Sequence, residues 1–297
     1  MSADPAVVTA IGRSPLGRLL GDRAAVVGLA IIAVVVAGSL LAPWVAADPI
    51  AQDVGNRYAP RSIDHPLGTD QLGRDTLARI LHGGRYSLGM SLAASLGIAV
   101  LGVVLGLASA SYGRATDTVI NRLADVFLAL PTLVLMLVVV GLLGQGLRNL
   151  VIAVILVGWP TYARIVRGMA LATREREFVT AAEAAGASRA RIALRHLAPN
   201  LIGPVIVLTT IDLGRVLLAV SALSFLGFGV TSPTPEWGAM LSDARTLFTS
   251  HPELMLPPGI AITVMVLAFN LAGDGLRDVL DPRDVEGGAR WDRPAST

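Results

Sequence analysis

Lysine and cysteine are both absent from the 297 residues. Without lysine the chain cannot hold the Gly-x-x-x-x-Gly-Lys-Ser/Thr loop that cradles nucleotide phosphates, so it does not bind ATP through that motif. Without cysteine there is no disulfide framework, no thiolate metal site and no cysteine nucleophile, and the redox compartment stays open. Charge is scarce as well. Charged residues make up 15% of the chain, against about 25% in a soluble domain. Aromatic residues reach only 5%. The four histidines form no His-Glu-x-x-His pattern, which leaves an intramembrane zinc protease without support.

What is abundant is Ala, Val, Leu and Ile: 53% of the chain is hydrophobic and the mean hydropathy is +0.64. That composition suits helices packed in lipid, and the expected class is an all-α integral membrane protein. A spanning helix needs about 20 apolar residues to cross the hydrocarbon core. Charge-free runs place spans at Ala24 to Ala47, Tyr86 to Gly113, Val126 to Leu147 and within Leu254 to Gly273, and a further span lies within the apolar stretch Leu201 to Gly229. A shorter run, Asn149 to Ala163, is flanked by Arg148 and Arg164, whose stems can snorkel to the interfaces, and makes about six spans. The first run is unbroken for 24 residues, whereas a cleavable signal has an apolar stretch of about 7 to 15. It is expected to stay as an uncleaved helix.

All 24 basic residues are arginine, and their distribution sets the orientation, because cytoplasmic loops are enriched in Lys and Arg. With the N-terminus inside, 16 arginines fall in cytoplasmic segments and seven outside, with Arg215 left within a span. Both termini are then cytoplasmic. The expected division is a cytoplasmic segment 1–23, a transmembrane domain 24–278 with an internal loop 164–199, and a cytoplasmic tail 279–297.

The internal loop carries the most information. Phe178, Ala181, Ala182 and Ala185 recur at the spacing of one helical face, an apolar stripe that needs a partner. Gly186 can take positive φ and end this helix, Ser188 can cap a second one, and Pro199 is expected to close the second before the next span. A bent pair of short helices results. Lying flat on lipid is the alternative use of such a segment.

The order of glutamate, Ala-Ala, glycine and a later isoleucine and proline resembles the EAA loop of bacterial ATP-binding-cassette importer permeases. The match covers Glu177, Ala181, Ala182, Gly186, Ile192 and Pro199. His65-Pro66-Leu67-Gly68-Thr69-Asp70 with Gly73-Arg74-Asp75 resembles the dipeptide, oligopeptide and nickel group of that family. So do Leu223 to Gly229, Pro233 to Gly238, and Asn270 to Asp278 with Leu280-Asp281-Pro282. The resemblance runs from about residue 62 to 283 and is to the second, C-type, permease subunit. It implies the type I (MetI-like) permease fold and an ATPase-coupling role for the six residues just named. The implied partners are a homologous second permease, two ATP-binding-cassette ATPase subunits that hold ATP and Mg, an extracytoplasmic binding protein, and membrane lipid. No cofactor on this chain, no catalytic residue, no metal site and no nucleic-acid partner is expected. The implied location is a bacterial cytoplasmic membrane. The implied cargo is di- or oligopeptides, with nickel or another small solute as the alternative.

Two features stand beside the motifs. Gly102-x-x-x-Gly106 offers a small-residue face for close helix packing. Relatives often place an acid shortly before the Leu223 run, where this chain has Val220, and instead it carries Asp212 and Arg215 earlier in the same span. Spaced i, i+3, these two can pair with each other. A satisfied structural pair and a role in a translocation path are equally open for them. Glu183 and the aspartates before the second span read as solvated charges. An ion-driven secondary transporter usually shows internal repeats, and no such repeat is evident.

Overall fold

A computed structural model describes residues 21–280. The expected termini 1–23 and 279–297 fall almost wholly outside that range. Among the described residues the chain is helical, and the only β feature is an isolated bridge between Thr69 and Asp75. Helix α1 (Arg23–Val45) starts where Asp22 accepts a hydrogen bond from the Ala24 N–H at 2.9 Å. Helix α2 (Thr76–Ser111) is capped by Asp75, which accepts from the Ala78 N–H at 2.7 Å. Each carboxylate satisfies a donor that the first helical turn would otherwise leave unpaired.

The third span departs from its expected form. In place of one helix over 126–147 there are two, α3 (Arg114–Leu128) and α4 (Thr132–Leu143), bent by 97° where they meet. Pro131 explains the break, since it donates no backbone hydrogen bond and turns the preceding residue away from helical geometry. The first piece is amphipathic. The second has 12 residues, about 18 Å of helix, well short of the roughly 30 Å hydrocarbon core. Among the described residues five helices are long and apolar enough to span, or six if the bent pair counts as one.

Helix α5 (Leu147–Arg174) runs past the expected limit at Ala163, so the connecting loop begins near Glu175 rather than at Arg164. No proline lies between those points, the helix absorbs Gly168, and Arg164 and Arg167 each find a carboxylate on α3. After a short helix α6 (Glu177–Ala184) comes α7, continuous from Arg189 to Phe225. Pro199 therefore does not close a helix. A widened turn over Ile192–Leu197, in which the Ala198 N–H reaches back five residues to the Ala193 carbonyl, carries the chain through the proline. Helix α8 (Trp237–Arg245) and helix α9 (Leu256–Leu280) complete the bundle.

Small residues set the packing, as membrane helices require in the absence of a hydrophobic drive between them. A Cβ on Gly102 would lie 2.3 Å from the Tyr162 Cβ, and one on Gly106 would lie 2.7 Å from the Ala163 carbonyl oxygen. The α2 and α5 backbones meet there. Gly28 brings α1 against the Ala268 carbonyl of α9, and Gly273 brings α9 against Ile211 of α7.

Candidate functional site

The termini of α2, α3, α5 and α7 converge with α6 at one end of the bundle, the end rich in arginine. The corner after α6 is built by its backbone. Gly186 has φ +79°, its N–H donates to the Glu183 carbonyl at 3.0 Å, and the Ala187 N–H donates to the Ala182 carbonyl at 3.1 Å. This paired pattern at a glycine closes the last carbonyls of a helix. The next helix then starts at once, with Ser188 Oγ accepting from the Arg191 N–H at 3.3 Å.

The bent element is held from below by apolar contacts. Val179 of α6 and Ile192 and Leu197 of α7 are buried in a cluster with Leu107, Ala110, Val166 and Ala170. Arg174 ties its upper side: Nε and Nη2 donate to Glu183 Oε1 at 3.0 and 2.8 Å, while Nη1 donates to the Ala110 carbonyl at the end of α2, 3.2 Å away. Glu183 is exposed, as expected, and is paired as well. One arginine joins three helices.

The six residues of the loop motif separate into two sets. Glu177, Ala181, Gly186 and Pro199 are exposed and Ala182 is half-buried, whereas Ile192 is buried and anchors the element. Of the apolar stripe, Phe178, Ala181 and Ala185 face outward, so the face turned inward is that of Val179. Leu194 is 72% exposed and Phe178 42%. The sequence pattern did not single out Leu194, because an exposed leucine and a buried one read alike. Around these apolar residues stand the exposed Arg176, Arg189, Arg191 and Arg195. The surface is an apolar centre with a cationic rim, standing on a rigid mount.

That mount is braced laterally. Arg167 of α5 grips Asp117 of α3 in a fork, with Nε to Oδ1 at 2.5 Å and Nη2 to Oδ2 at 2.7 Å, and Arg164 pairs with Asp125 one turn along. Such planar two-point contacts fix orientation as well as charge. Asn121 adds a bond to Asp117 at 2.8 Å.

A second polar site lies on α7, with one member buried and the other exposed. Asp212 Oδ1 and Arg215 Nε of α7 are 2.6 Å apart, the aspartate side chain 9% exposed and the arginine 64%. The third polar cluster sits at the opposite end. There Asp70 Oδ2 accepts from Arg74 Nε at 2.7 Å and Arg79 Nη1 at 2.5 Å, and Asp243 of α8 stands 3.4 Å from Arg79 Nη2. Arg74, Arg79 and Asp70 are buried, and His65 lies 2.8 Å from Asp75. Asp70 and Asp75 are internal partners rather than solvated charges, Asp70 because α8 folds back onto the start of α2, whereas Asp48, Asp53 and Asp64 are exposed as expected. Glu236 caps α8 from a fully buried position, accepting from Ser87 Oγ at 2.8 Å and from the Gly238 and Ala239 N–H groups at 3.0 and 2.8 Å. Burial raises its pKa above the ordinary carboxylate range, against the pull of those hydrogen bonds.

Comparison with known proteins adds two family-model matches and three relatives. Residues 102–284 match the family model of binding-protein-dependent transport system inner membrane components, and residues 15–60 match the N-terminal transmembrane domain of oligopeptide transport permease C. The dipeptide transport system permease protein DppC of Alkalihalophilus pseudofirmus is 40% identical over 272 residues, 91% of this chain and 90% of the relative. The nickel transport system permease protein NikC of Escherichia coli is 44% identical over 242 residues, 82% of this chain and 87% of the relative. The di/tripeptide transport system permease protein DppC of Pseudomonas aeruginosa is 40% identical over 269 residues, 88% of this chain and 89% of the relative.

Proposed function

The chain belongs to the family of binding-protein-dependent transport system inner membrane components, and from that premise we propose that it passes di- or oligopeptides inward across a bacterial cytoplasmic membrane as one half of a paired permease. The arginine-rich end faces the cytosol, with both termini on that side. A homologous second permease completes the path, a binding protein outside delivers the cargo, and two ATPase subunits supply the energy. ATP and Mg belong to those subunits, and this chain performs no catalysis of its own.

One observation carries the reading: an apolar, outward-facing corner at Gly186 is fixed rigidly to a long membrane helix. Helix α7 has 37 residues from Arg189 to Phe225, about 55 Å at 1.5 Å per residue. A partner that moved α6 would move α7 with it, since Val179, Ile192 and Leu197 share one core. Glu177, Ala181, Ala182, Gly186 and Pro199 form or border the docking surface, and Ile192 transmits the displacement. Binding of ATP would draw the two ATPases together and swing both permeases by these corners.

Replacement of Ala181 by arginine puts a charge in the centre of the docking face without touching the core. The expected result is loss of ATPase co-purification and of peptide uptake, with membrane insertion intact. Undiminished co-purification would contradict the reading. The likeness to NikC favours a second cargo, nickel or a nickel complex, carried by the same machinery. Uptake of radiolabelled nickel against labelled dipeptide by the reconstituted importer decides between the two.

A further inference from the structure

Arg215 stands ten residues before the end of α7 at Phe225, about 15 Å along the helix and so near the middle of a hydrocarbon core roughly 30 Å thick. At that depth an ionised side chain facing lipid is costly, and such groups face a bundle interior or a water-filled path. Yet its side chain is 64% exposed on this chain. Its surroundings are those of a path wall. On one side is a cavity of about 390 Å³ that includes Thr161, Tyr162, Asp212 and Asn270 in its lining. On the other is an apolar cavity of about 240 Å³ bounded by Phe127, Thr132 and Met136. The closest approach of the pair is from Arg215 Nε to Asp212 Oδ1, at 2.6 Å, so Asp212 meets the inner edge of the guanidinium. The buried Asp212 Oδ2 has no hydrogen-bond partner among the described residues.

We propose that Arg215 lines the translocation path and forms a transient pair with the C-terminal carboxylate of a passing peptide, while Asp212 aims the guanidinium. This rests on the peptide-permease reading. An anchor at the inner edge leaves the outward edge of the guanidinium for a planar carboxylate. A neutralised anchor pair keeps the resting site from trapping the cargo, because the approaching carboxylate competes with Asp212 for one cation. Release inward follows because Asp212, still beside the guanidinium, competes for the same cation and keeps the contact with the cargo weak.

The chain has no cysteine, so Arg215→Cys places a single thiol in it, and the test uses the complete importer in proteoliposomes with its binding protein. Dipeptide uptake is expected to fall about tenfold or more in R215C, the loss that goes with removal of one charge-assisted contact. A positively charged aminoethyl thiosulfonate should then restore uptake to within about threefold of wild type, and R215K should retain a similar share. A negatively charged ethylsulfonate reagent should label the thiol without restoring transport. Unchanged uptake in R215C, a thiol that neither reagent reaches, or equal recovery with both reagents overturns the proposal. Loss of the second permease from the purified R215C complex also overturns it, since Arg215 would then join two chains rather than meet cargo. Absence of dipeptide uptake in the wild-type importer defeats the parent reading and this one together, and shows before any variant is made.

Discussion

The two ends of this molecule place opposite chemistry inside and outside. At the end bearing His65 to Arg79, the charges are buried and paired with each other across distant parts of the chain: Arg79 meets both Asp70 and Asp243. At the arginine-rich end the ion pairs are half-exposed, as in Arg174 with Glu183 and Arg164 with Asp125, and the exposed groups include Phe178, Ala181 and Leu194. One end turns its arginines and aspartates inward onto each other. The other keeps apolar groups in the open on a firmly capped frame. A part that must receive force needs stiffness beneath and an open surface above, and the second end has both.

Breaking the closed end should have the largest effect. Asp70→Ala leaves Arg74 and Arg79 buried beside one remaining carboxylate, and removal of one member of a buried charge group costs about 3–5 kcal/mol. Thermal unfolding of the purified protein in detergent should fall accordingly, with reduced amounts in the membrane. At the open end Gly186→Val should cost less, about 1–3 kcal/mol for a branched residue forced to positive φ. No atom lies within 4 Å of the added Cβ, so the strain is confined to the backbone. Amide exchange should rise in α6 alone, while ATPase binding drops.

Acidity sharpens the contrast further. Because burial raises the Glu236 pKa above its ordinary 4.5, the folded protein holds that proton more tightly than the unfolded chain does. Its contribution to stability is greatest below the ordinary carboxylate range and declines as pH rises through the window above 4.5 toward the folded value. Glu236→Gln should flatten this part of the stability-against-pH curve. The smallest effect belongs to Glu183→Gln, since a half-exposed pair contributes about 0.2–1 kcal/mol. Melting should barely move, and a drop as large as that of Asp70→Ala would erase the distinction between the ends.

The extent to which this architecture was legible in the sequence follows the range of the interactions. Hydropathy located α1, α2, α7 and α9, because twenty apolar residues in a row have one physical use. The close approach at Gly102 and Gly106 was readable from spacing alone. Pro131 was visible too, yet an unbroken apolar run over 126–147 masked its effect. Pro199 misled in the other direction, since a widened turn absorbed it. The buried cluster could not be read, because Arg79 and Asp243 are brought together only by the return of α8 onto α2. Within the loop, spacing identified the stripe through Phe178 and Ala181, whereas the burial of Ile192 and the exposure of Leu194 depend on which side of α7 meets α2 and α5.

The most direct test uses the absence of cysteine from the chain. Ala181→Cys on the open end and Ile63→Cys, at a position 97% exposed on the closed end, each carry a short bifunctional thiol cross-linker in the assembled importer. The account predicts that Ala181→Cys joins this chain to an ATPase subunit and Ile63→Cys does not. An ATPase adduct at residue 63, or none at residue 181 while transport persists, would contradict it.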